Sequence, residues 1–174
     1  MTTPQTCPGV GEYGHGLTGA VVHWGCCPIG RGKPTSSPLP HDPYITAVDT
    51  ALTAAAIGCD DGWTSEADEH DHDGNPTLSA VFTWHADNTA LDTDLFVHGA
   101  GVYWALTSGW EYAAMRLDGS NDIPSSLPLP LWAEPADVVQ AVRSALVGLP
   151  LPPQPAREWL NTDVATAVEA WAAE

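Results

Sequence analysis

Positive charge is nearly absent from this chain. Arg31, Lys33, Arg116, Arg143 and Arg157 are its only permanent cations against 22 Asp and Glu, a formal charge of −17 over 174 residues. Such a surface repels phosphate, which argues against direct binding to nucleic acid or to an anionic membrane. Contact with a basic protein is favoured instead, including a protein whose own nucleic-acid groove the carboxylates can occupy. Long apolar runs are missing too, and none approaches the roughly 20 residues that span a bilayer. The opening MTTPQTCPGVGEYGHG has neither a basic segment nor an apolar one, so no secretory signal is expected. Cysteine is sparse and irregularly placed, at Cys7, Cys26, Cys27 and Cys59, which fits a reduced, cytoplasmic setting better than a disulfide scaffold. There is no G-x-S-x-G elbow, P-loop, dinucleotide glycine fingerprint or H-E-x-x-H helix. The expectation leans against an enzyme.

Apolar residues and tryptophan are well represented, at 44% and eight residues, enough for a real core. The bias toward Ala, Gly, Pro and Asp, with one lysine, matches translation from a G+C-rich genome, that of a bacterium or its phage. Residues 1–40 are rich in Gly and Pro and end in GRGKPTSSPLP, which reads as an N-terminal arm, with one short strand in TGAVVHW. Residues 41–150 form the core domain, and 151–174 add a C-terminal helix packed on it or extending it.

The elements follow from hydrophobic period. HDPYITAVDTALTAAAIG carries Ile45, Val48, Leu52 and Ala55 at helical steps, with Asp42 as N-cap, Pro43 at the first helical position and Gly58 at the C-terminal stop. In TLSAVFTWHA, Leu78, Ala80, Phe82 and Trp84 alternate as a half-buried strand does. DLFVHGAGVYWALTSGWEYAAMRL reads as three strands with turns at 98–101 and 107–109, an antiparallel meander with aromatic cross-strand pairs. A Pro-rich connection then crosses the surface. A second helix buries Val138, Val139, Val142, Ala145 and Leu146 and ends at Gly148; a third aligns Leu160, Val164, Ala167, Val168 and Trp171. Strands grouped between helices predict an α+β fold, an antiparallel sheet of about four strands with helices packed on one face.

Three segments carry this pattern in a recognisable form: Tyr44, Ala47, Val48, Ala51 and Leu52 on a helix; Gly109, Trp110 and Tyr112 in a hairpin; Pro135, Val138, Ala141 and Val142 on a second helix. Residues 43–147 thereby resemble a small actinobacterial domain family of unknown function. The motifs are packing signals, so the resemblance implies the α+β fold and no activity.

Three stretches hold candidate chemistry. DDGWTSEADEHDHDGNP, residues 60–76, places Asp60, Asp61, Glu66, Asp68, Glu69, Asp71 and Asp73 together, and reads as a surface connection between the first helix and the first strand. Glu69, Asp71, Asp73 and Gly74 follow half of a calcium-loop template. Position 12 is Ala80, so the bidentate carboxylate is missing unless Asp87 or Asp92 supplies it. His70 and His72 share one side of an extended chain and, with neighbouring Asp or with His85 or Cys59, have the ligand types of a transition-metal site. In the arm, Cys7, His15, His23 and Cys26 (or Cys27) offer two thiolates and two imidazoles, the donor set of structural zinc, at spacings that match no standard finger. A cysteine nucleophile at Cys59 is disfavoured by the charges of Asp60 and Asp61.

The leading expectation is a non-enzymatic acidic protein that binds a basic partner, in concrete form a phage-type inhibitor or an accessory factor of a nucleic-acid-handling protein. The carboxylates of residues 60–73 are its expected contact surface. The alternatives are a zinc-binding structural or regulatory domain and an enzyme of unrecognised type.

Overall fold

A computed structural model describes residues 38–66, 77–153 and 157–173. The fold is α+β: a five-stranded antiparallel sheet and three helices. The order is α1 (Asp42–Ala54), β1 (Asp61–Glu66), β2 (Leu78–Trp84), β3 (Ala100–Ala105), β4 (Gly109–Ala114), β5 (Ser125–Ser126), α2 (Pro135–Leu146) and α3 (Thr162–Trp171). Strands pair in chain order, each antiparallel to the next. The expected arm with its TGAVVHW strand lies outside the described residues.

Register divides the sheet into two unlike faces. Thr64, Ala80, Trp104 and Trp110 lie opposite one another across four strands, as do Trp63, Val81, Tyr103 and Glu111 one residue away. Side chains alternate between faces, so the two rows point in opposite directions. The first row is buried throughout, and every member of the second is only partly buried. The helix α1 lies on the first face, because Tyr44 packs edge-on against Trp104 and Trp110. The Thr64 hydroxyl also donates to Asp42 Oδ1 at 2.8 Å.

Tyr44 is the centre of the core. It is fully buried and touches four tryptophan rings, Trp104, Trp110, Trp132 and Trp159, at centroid distances of 5.1 to 6.2 Å. Its hydroxyl donates to Ala133 O at 2.8 Å, and burial pushes its pKa far up, so it remains a donor. Trp104 donates to Leu131 O at 2.8 Å, and Trp159 N donates to Trp132 O at 2.6 Å. The Pro-rich connection is therefore no loose surface crossing: β5 lies within it, and in the 127–134 stretch that follows Leu127 is buried while Leu131 and Trp132 pack on the core. The segment before α3 is held to that stretch by the Ala133–Glu158 bridge and by Glu134 N donating to Arg157 O at 2.7 Å, and to α2 by the Arg157–Asp137 pair. Beyond it, Val164 and Val168 of α3 join the core, while α2 packs beside α1 and buries the stripe that its sequence predicts.

Four local expectations differ from the structure. Asp61–Glu66 is an edge strand, not part of a surface connection. Gly62 and Thr64 face inward in alternation, a period hidden by acidic composition. DLFVH forms turns instead of a strand, with Leu95 and Phe96 N–H both donating to Asp92 O and Phe96 buried. Leu160 is 89% exposed, since α3 starts only after the Asn161 cap. Asp42 does not cap α1 but accepts from Leu39 N, and the helix ends at Ala54, four residues before Gly58.

At that stop, Ala56 N donates to Thr53 O and Ile57 N to Leu52 O, with Ala56 at φ 58°. This is a Schellman closure with alanine in the left-handed position that normally takes glycine. In α2 the same position is Gly148, at φ 64°. Relieving the alanine, Ala56→Gly is expected to raise stability by about 1 kcal/mol in denaturant unfolding; a lower midpoint contradicts this closure. Tyr44→Phe, which leaves the buried Ala133 carbonyl without its donor, is expected to cost about 1–3 kcal/mol by the same measurement.

Candidate functional site

The described part of the acidic stretch does not form one cluster. Asp60 and Asp61 stand at the start of β1 and Glu66 at its end, about 17 Å away along a strand of that length. Asp68, Glu69, Asp71 and Asp73 lie outside the described residues, as do His70 and His72. So do Cys7, His15, His23, Cys26 and Cys27 of the zinc reading. Among the described residues no three His, Cys, Asp or Glu side chains converge as a metal site would require.

Asp60 and Asp61 are organised by the end of β2. Asp60 Oδ2 accepts from His85 N at 2.7 Å and from Asn88 Nδ2 at 3.0 Å. Asp61 Oδ2 meets His85 Nε2 at 3.0 Å, both side chains well exposed. The β1–β2 register creates this group, since pairing Asp61 with Thr83 brings His85 alongside. Reading residues 61–66 as a strand was the only sequence signal that could have found it. Asp92 stays apart and caps its own turn by accepting from Asp94 N at 3.0 Å.

Two further polar groups face inward. Cys59 donates from Sγ to Asp49 Oδ1 at 3.7 Å. Burial pushes the Asp49 carboxyl up, and the thiol contact pulls it partly back. His41 is fully buried, stacked on Trp104 at 5.3 Å, and its Nε2 donates to Ser79 O at 2.9 Å. That bond fixes the tautomer and leaves Nδ1 as an acceptor with no partner. Burial holds the imidazole below its ordinary value of 6.5, against the opposing pull of the Ser79 bond and the Asp42 carboxylate. His41 and Asp42 are neighbours, but Asp42 bonds to Leu39 N and Thr64, so the pair is a structural knot at the start of α1. A shallow cleft of about 110 Å³ between Pro128, Gln140 and Pro153 includes Asp137, whose carboxylate is engaged by Arg157.

The cations complete the picture. Arg116 pairs with Asp122 at 2.7 Å, Arg143 donates to Ala55 O at 2.8 Å, and Arg157 grips Asp137 through its backbone N, Nε and Nη2. The Arg157 contact holds the Asp137 carboxyl below the usual carboxylate range. Each arginine of the described residues is thus committed within the fold, which leaves Asp60, Glu66, Asp87, Asp94 and Glu111 without a cationic partner among them.

No family model, no curated protein and no solved structure matches this chain. The packing motifs of residues 43–147 therefore stand as features of the fold without a family assignment.

His41 gives the site its pH dependence. An unfolded histidine takes a proton near pH 6.5, and the buried one resists it. Stability is full above that pH and falls as pH drops below it, by about 1.4 kcal/mol per unit of depression. Denaturant unfolding at pH 7.5 and pH 5 is expected to show this loss, and His41→Phe should flatten it. An unchanged slope in that variant would place the dependence on other groups.

Proposed function

We propose that this is a non-enzymatic acidic binding protein that acts in the cytoplasm by contact with a basic protein partner. Its concrete form is a phage-type inhibitor, or an accessory factor, of a nucleic-acid-handling protein. One observation supports the reading above others: every arginine of the described residues is engaged internally, while exposed carboxylates are left with no countercharge. A chain of −17 whose three described arginines are each bonded to its own groups presents negative potential outward. Charge of this kind steers association and selects partners by complementarity more than it adds affinity.

Salt dependence tests it. Immobilised protein is expected to retain a basic protein from its host at about 50 mM salt and to release it by about 300 mM, since the screening length falls below 10 Å above 0.1 M. Retention that is indifferent to salt, or recovery of no basic protein at low salt, contradicts the proposal.

A further inference from the structure

The face of the sheet turned away from α1 has a composition unlike the rest of the molecule. Its central row runs Trp63, Val81, Tyr103 and Glu111, one residue from each of four neighbouring strands. Strand spacing sets Trp63 and Tyr103 about 10 Å apart across Val81. All four are partly exposed. On the buried face Phe82, Trp104 and Trp110 each contact another ring, but neither Trp63 nor Tyr103 does so among the described residues. Cross-strand ring pairing therefore does not account for these two aromatics.

Tyr103 is held in an unusual posture. A Cβ on Gly101 would collide with the Tyr103 hydroxyl and ring edge, so the phenol lies down over Gly101, where only glycine leaves room. Partial burial raises its pKa, and the neighbouring Asn121 side chain pulls it partly back. The phenol thus runs along β3 over Gly101, and Tyr103 stays partly exposed. Next to it on β4, Glu111 accepts only a long bond of 3.4 Å from Ser108 and keeps capacity for further donors. Asp61, which meets His85 Nε2 at 3.0 Å, lies in the adjacent row, and β1 to β4 place no Lys or Arg on this face.

We infer that this face is the docking surface for an arginine-bearing segment of the basic partner, with a guanidinium stacked on Tyr103 and hydrogen-bonded to Glu111. The inference rests on the acidic-binding reading and names where and how that binding occurs. Charge complementarity selects a cation. A flat π-face beside a carboxylate selects arginine over lysine, since a planar guanidinium stacks and donates in its own plane at once, while an ammonium is a compact, strongly hydrated point charge. Trp63, beyond Val81, offers a second platform to the same extended segment.

Calorimetric titration with a short arginine-rich peptide and its lysine counterpart of equal charge tests the inference. The arginine peptide is expected to bind more tightly. Tyr103→Leu should weaken the arginine peptide by about tenfold and the lysine peptide much less. Glu111→Gln, a change that leaves every ring in place, should also weaken the arginine peptide, whereas Glu169→Gln on α3 should not. Circular dichroism and thermal unfolding establish that each variant is folded. Equal, salt-sensitive binding of both peptides, unaffected by Tyr103→Leu and Glu111→Gln, overturns the inference and leaves the acidic-binding reading standing. Failure of both peptides to bind at low salt overturns the two together.

Discussion

The hydroxyl of Tyr44, buried among four tryptophans and bonded to Ala133 O, is the contact on which this fold turns. A phenol in such a place is stable only with its polar end satisfied, because an unpaired buried hydroxyl costs as much as its burial gains. One bond therefore fixes the position of α1 on the sheet relative to the 127–134 connection. Through Trp132 and Trp159 it also fixes the segment that leads to α3. A short sheet with a two-residue edge strand at β5 gains little from its own ladder there. The aromatic cluster supplies the cohesion instead.

That arrangement has a consequence for the opposite face. The rings of Phe82, Trp104 and Trp110 are all drawn to one side, and the arginines of the described residues hold down a turn, a helix end and the Asp137 carboxylate. The row through Trp63, Val81, Tyr103 and Glu111 is what remains, partly exposed and without a cation of its own. Acidic proteins are often acidic all over for the sake of solubility. Here the negative charge is combined with a laid-down tyrosine that the sheet accommodates only through Gly101.

Much of this was legible in the sequence wherever period and burial coincided. Leu78, Ala80, Phe82 and Trp84 alternate, and all four are buried; Val138, Val139, Val142, Ala145 and Leu146 keep helical steps, and all five are buried. Legibility failed where composition masked period. DDGWTSE looked like solvated charge, yet Thr64 in its middle is fully buried and bonds to Asp42. It failed again where a tertiary bond overrode a local rule. Asp42 has the chemistry of a cap, but its oxygens are taken by Leu39 N and Thr64. The His85–Asp61 pair depends on strand register and was invisible without β1. The importance of Gly101 could not be read from its neighbours, because a glycine in a strand does not announce which ring lies over it.

The most direct test of the two-faced account is to map, by backbone and indole NMR shifts, where an arginine-rich peptide lands on the intact protein. The account predicts changes concentrated at Trp63, Val81, Tyr103, Glu111 and their strand neighbours, including the Trp63 indole N–H, with Trp104 and Trp110 unmoved. Shifts spread evenly over exposed carboxylates, or centred on α2 and α3, would contradict it.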